Sequence, residues 1–118
     1  MTLKEFDTDK IPLRKTILLG FSQGAAMAID AGTKLNFGLI VACSGYPLPT
    51  WNPVENYPPL IISHGLFDDF VPIAASRIIY QKVKSISSEF CELLEFDGIH
   101  QIDSNLINVL SSKIIDIF

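Results

Sequence analysis

A serine set between two glycines, Gly20-Phe21-Ser22-Gln23-Gly24, is where this sequence first offers chemistry. In a G-x-S-x-G pentapeptide the chain turns sharply from strand into helix and presents the serine hydroxyl. Glycines two before and two after leave room for that turn and for close strand–helix packing. A serine hydroxyl becomes a nucleophile when a base takes its proton, and the base needs an acid to orient it. Two histidines are available, His64 and His100. Acids stand at Asp68 and Asp69, within His64-Gly65-Leu66-Phe67-Asp68-Asp69-Phe70-Val71-Pro72, and at Asp97 and Asp103 around the second histidine. The plain alternative for Ser22 is a structural hydroxyl in a tight turn.

His64 precedes Asp68 by one turn and reads as a strand-end residue hydrogen-bonded to loop backbone, which leaves His100 as the candidate base. On spacing alone Asp68 and Asp69 are equal candidates for the acid, while Asp97 and Asp103 read as surface groups. A metal site built from His64, Asp68, Asp69 and His100 lacks metal-ligand spacing, so neither a metal nor another cofactor is expected.

These residues need elements to position them. Four apolar runs serve: Lys15–Gly20, Phe37–Gly45, Pro59–Gly65 and Phe90–Phe96, the last more polar, as befits a sheet edge. Runs apolar on both faces fit parallel strands covered by helices. Gln23–Leu35 is alanine-rich and predicts a helix. Ala75, Ile78, Ile79, Val83 and Ile86 make one apolar stripe, and Ile107, Leu110, Ile114 and Ile117 another, with Ser104 as its cap. Strand and helix in alternation predict an α/β fold of right-handed βαβ units. Ser22, the acid and His100 each follow a different strand, and such carboxyl ends are where α/β sites are built. Tyr46–Pro59, with five prolines and Trp51, predicts an ordered loop or flap.

The 118 residues are 48% hydrophobic and 19% charged, which suits one folded domain and excludes disorder. Thirteen acids against nine bases give a net charge of −4, so nucleic acid is not an expected partner. No apolar stretch reaches membrane-spanning length, and the charged start, residues 1–10, is unlike a secretory signal; a cytoplasmic chain without stable membrane insertion is expected. Cys43 and Cys91 lie in apolar runs and read as small buried hydrophobes, with a disulfide as the alternative.

Leu18-Leu-Gly-Phe-Ser-Gln-Gly-Ala-Ala-Met-Ala28, Ser44-Gly-Tyr46, Ile62-Ser-His-Gly65 with Asp68 and Val71-Pro72, and Gly98-Ile-His100 together resemble the phospholipase/carboxylesterase family of α/β-hydrolases, which includes the acyl-protein thioesterases. The resemblance covers nearly all of residues 15–118. It implies an α/β-hydrolase fold of about four mostly parallel strands with flanking helices, and the chain order Ser22, Asp68, His100 as a catalytic triad, with Asp68 chosen over Asp69. It further implies an acyl-enzyme at Ser22 formed from a small ester or thioester, with the Gln23 backbone N–H in the oxyanion hole. Phe21, Tyr46, Phe70 and Val71 are the expected substrate-binding residues.

The chain also departs from that family. Asp69 stands where many relatives carry proline. Residues 1–14 alone precede the nucleophile strand, where relatives place several strands and helices and the loop that supplies a second oxyanion amide. A single domain of residues 1–118 lacking those parts is expected to self-associate or to dock a separately encoded amino-terminal half.

Overall fold

In the computed structural model, which describes residues 12–117 and side chains through 114, the four apolar runs form one sheet. A short 3₁₀ turn, Leu13–Lys15, leads into β1 (Ile17–Phe21), followed by α1 (Gln23–Ala31), β2 (Leu39–Cys43), β3 (Leu60–Gly65), α2 (Ile73–Ile86), β4 (Cys91–Phe96) and α3 (Leu106–Ile117). The strands lie in sequence order, β1-β2-β3-β4, and every neighbouring pair is parallel. The carboxyl ends of all four therefore open at one rim of the sheet. The charged start, residues 1–10, and the side chain of Ile117 fall outside the described residues.

The central strands β2 and β3 are buried along their whole length, as their doubly apolar runs require. One face carries Ile40, Ala42, Leu60 and Ile62 against Ala25, Ala28 and Ile29 of α1 and Ile79 and Val83 of α2. The other carries Leu39, Val41, Cys43 and Ile61 against Leu106 and Leu110 of α3. Cys43 and Cys91 are buried and unpaired, so the disulfide alternative is not realised. Burial pushes both thiols up, to about 11.

Both predicted helix stripes need correction. In α2 the buried row is Ser76, Ile79 and Val83, while Ile78 and Ile86 face solvent. A stripe of apolar residues alone omits the buried serine. In α3 the core-facing residues are Leu106 and Leu110, and Ile107 is 71% exposed. That helix is apolar on nearly every side, so its periodicity marks no face. It also begins one residue later than a Ser104 cap would place it, leaving Asn105 at the cap position. The alanine-rich helix stops at Ala31, and Gly32–Lys34 form turns rather than further helix.

Between β2 and β3 the chain crosses through the proline-rich loop. Its order comes from two aromatic anchors: Trp51 and Tyr57 are buried edge-to-face with ring centroids 6.3 Å apart. The Tyr57 hydroxyl donates to the Ile29 carbonyl at 2.6 Å, and Ser87 Oγ donates to the Tyr57 carbonyl at 3.1 Å. Gly32 is required under that ring, since a Cβ there would lie 2.6 Å from Tyr57 Cζ.

Candidate active site

Ser22 follows β1 at the rim with φ 58° and ψ −117°, a backbone region non-glycine residues rarely hold. Neighbouring bonds hold it there: its N–H donates to the Cys43 carbonyl at 2.8 Å, and its carbonyl accepts from Ala26 N–H as α1 begins. Strand and helix meet so closely that a Cβ on Gly20 would sit 2.2 Å from the Gly24 carbonyl oxygen. Gly20 is thus needed for close approach. A Cβ on Gly24 would meet no described atom within 4 Å, so the second glycine of the motif is not fixed by crowding. Gln23 opens α1, and a first-turn N–H has no partner within its own helix.

The loops after β3 and β4 are fastened together. Leu66 N–H donates to the Phe96 carbonyl and Phe67 N–H to the Gly98 carbonyl, both at 2.9 Å. Gly65 permits this approach, because its Cβ would lie 2.5 Å or less from the carbonyl oxygens of Gly98 and Ile99. The fastening brings Asp68 and His100 together. Asp68 Oδ2 is 2.7 Å from His100 Nδ1, and His100 Nε2 is 3.0 Å from Ser22 Oγ. Three side chains from three separate loops form one hydrogen-bonded run.

Of the two candidate acids, Asp68 is the one bonded to His100. Its Oδ1 accepts from the N–H groups of Phe70 and Val71, both at 2.8 Å, an Asx-type turn that Asp69 does not make. Burial pushes the Asp68 carboxyl up. The bonds from Val71 N–H, His100 and Phe70 N–H outweigh it and hold the group below its ordinary value. A carboxylate that stays ionised beside an imidazole can fix its tautomer and stabilise its charged form.

Phe21 and Phe70 flank the His100 ring, with centroids 4.8 and 5.3 Å away, and Phe70 is 81% exposed. Val71 reaches the site through its backbone, donating to Asp68 and accepting from His64. Tyr46 is half-buried past the end of β2, with no hydrogen bond or ring contact to Ser22 or His100 among the described residues. His64 makes the loop-backbone bond expected of it. Its bond to Ser76 leaves no mark in the sequence, because a serine inside a helix stripe carries no signal of its own. Among the described residues no group of three or more His, Cys, Asp or Glu is arranged to hold a metal ion.

A model of the phospholipase/carboxylesterase family matches residues 2–116. Acyl-protein thioesterase 1 homolog 1 of Dictyostelium discoideum is 35% identical over 98 residues, which are 75% of this chain and 43% of that protein. The crystal structure of esterase PE8 superposes with a TM-score of 0.81 at 26% identity, covering 98% of this chain and 56% of that one. MGS-M1, an alpha/beta hydrolase enzyme from a Medee basin deep-sea metagenome library, superposes at 0.76 and 17% identity over 86% of this chain and 53% of its own. The chain therefore spans about half the length of the relatives it matches, and its sheet and helices are a part of the α/β-hydrolase fold.

Proposed function

The chain belongs to the phospholipase/carboxylesterase family, and on that premise we propose that it is a serine hydrolase of carboxylic esters or thioesters working through Ser22, His100 and Asp68. The observation that carries this reading is the bonded run from Ser22 Oγ through His100 to Asp68 Oδ2. His100 Nε2 takes the serine proton as Oγ attacks the acyl carbonyl, while Asp68 holds the imidazole and stabilises its charged form. The proton passes to the leaving alcohol or thiol, and water, activated by the same imidazole, releases the acid from the acyl-serine. Phe21 and Phe70, apolar and at the base, suit the acyl side; Val71 and Tyr46 are assigned with them to substrate binding.

The Gln23 N–H at the start of α1 is the proposed oxyanion donor. An oxyanion hole of this kind takes two donors, each worth about 10²–10³ in rate, and a second copy of this chain or an amino-terminal half of the same fold is the proposed partner at the site. Among the described residues β1 pairs with a strand on one side only and is apolar, which supports such association. No described helix is long and apolar enough to cross a membrane. Free buried cysteines fit the cytoplasm.

The test is hydrolysis of a short-chain p-nitrophenyl ester by the chain beside Ser22→Ala. Turnover or an acyl burst that vanishes in the variant is the expected result. Equal background rates in both would overturn the reading and leave the chain as an association partner only.

A further inference from the structure

Alternate residues of β3, Leu60, Ile62 and His64, share the face beneath α2, where Val83, Ile79 and Ser76 come down at helical spacing. Leu60 and Ile62 meet Ile79 and Val83 in the apolar cluster. Next to the active site the pattern turns polar: His64 and Ser76, both 0% exposed, bond to each other through Nδ1 and Oγ at 2.5 Å. An imidazole buried there is costlier than an aliphatic side chain unless both ring nitrogens are bonded. Both are. The second, Nε2, lies 2.7 Å from the Val71 carbonyl oxygen, which can only accept, so Nε2 carries a hydrogen.

Those bonds converge on the acid. Val71, held at its carbonyl by His64, is the residue whose N–H grips Asp68 Oδ1. The same His64 Nε2 lies 3.5 Å from Asp68 Oδ2, the oxygen that faces His100. We infer that His64 is a positioning residue for Asp68: anchored to α2 through Ser76, it pins Val71 and lies against Oδ2, so the carboxylate is held between two imidazoles and stays aligned with His100. Through this link α2, which carries none of the reacting groups, helps set the geometry of the site. The inference rests on the reading of Ser22, His100 and Asp68 given above.

The hydrogen on His100 Nδ1, bonded to Asp68, is expected to give a low-field proton resonance that is read without substrate, so this test stands apart from turnover. The chain is compared with His64→Ala, His64→Gln, whose amide can still donate to the Val71 carbonyl, and Ser76→Ala, with Asp68→Asn as the control that loses the signal. His64→Ala is expected to lose or broaden the resonance below its melting transition, and His64→Gln to restore it. With an active chain, kcat in His64→Ala falls about 10–100-fold while KM stays within about twofold. A purely structural histidine would lower the melting temperature and leave the resonance of the folded protein unchanged. Absence of the resonance in the unmutated chain, or its persistence in His64→Ala, overturns the inference. Should His64→Ala not fold, Ser76→Ala decides: a broadened resonance supports the anchor and an unchanged one overturns it. A chain that shows the resonance but hydrolyses no ester fails the hydrolase reading and leaves this one intact.

Discussion

Along β4, one edge of the sheet, each face is closed by charge: Arg77 of α2 takes both carboxylate oxygens of Glu95 at 2.7 and 2.9 Å, and Lys113 of α3 lies 3.8 Å from Glu92 and 4.5 Å over the Phe90 ring. Along β1, the other edge among the described strands, Ile17-Leu-Leu-Gly-Phe21 carries no charge at all, and Leu19 and Phe21 are 48% and 37% exposed. Charge on an edge discourages a further strand, and a bare apolar edge invites one. The candidate site straddles this difference. His100 follows the guarded edge, Asp68 sits beside it on a loop stapled to that of His100, and Ser22 follows the bare edge. The bonded pair Asp68 and His100 is held by two loops fastened to each other, whereas Ser22 follows a strand that has a neighbour on one side only among the described residues.

The sharpest test of that division asks whether its halves act as one unit. Ser22→Ala and His100→Ala should each lower kcat on a p-nitrophenyl ester by on the order of 10⁴-fold or more, with the double variant no worse than either single one. Additive losses would show two independent halves. Next in size is the packing of the β1 elbow. Gly20→Ala, which drives a Cβ to 2.2 Å from backbone, should destabilise by about 3 kcal/mol or more in denaturant melts, and Gly24→Ala by no more than about 1 kcal/mol.

A third test works on the bare edge itself. Leu19→Lys should reduce self-association seen by light scattering at micromolar concentration while changing stability by within about 1 kcal/mol. A monomeric unmutated chain would break the comparison. The smallest effect belongs to the guarded side. The Arg77 hydrogen bonds hold Glu95 below its ordinary value, as the loop bonds do Asp68 against the pull of burial. A carboxyl depressed in the folded state contributes stability above its unfolded value, and that share is lost as pH falls through the folded one. Stability should therefore fall from about pH 4 downward. Asp68→Asn should flatten this acid limb, and Arg77→Ala should remove only the part due to Glu95.

Much of this arrangement is legible in the sequence because it depends on order along the chain. Doubly apolar runs predict buried parallel strands, and residues just past such runs must meet at one rim, which brings Ser22, the Asp68–Asp69 pair and His100 together before any coordinate is known; only the family resemblance singles out Asp68. The choice of Asp68 over Asp69 as the partner of His100 is not legible from spacing, because it depends on which carboxylate turns back onto the N–H groups of Phe70 and Val71. The buried face of α2 is misread for a related reason: Ser76 is placed inside by its bond to His64, a contact between residues twelve apart that hydropathy does not report. In α3 the difficulty is excess, since Ile107 and Ile114 are as apolar as the Leu106 and Leu110 that pack.

All three strand pairs among the described residues being parallel has a consequence in time. No two-residue hairpin can seed such a sheet; each ladder waits until a helix or long loop has crossed over. β1 finds β2 only after α1 has turned back, and β2 finds β3 only after the Tyr57 loop has closed. Sheets assembled through such distant contacts form slowly, because chain closure must come before any contact rewards it. Throughout that interval Ile17–Phe21 is an unpaired apolar strand in a chain still looking for its first partner. Refolding yield should then decline as protein concentration rises, with encounters between chains competing against the crossover that each chain must complete alone.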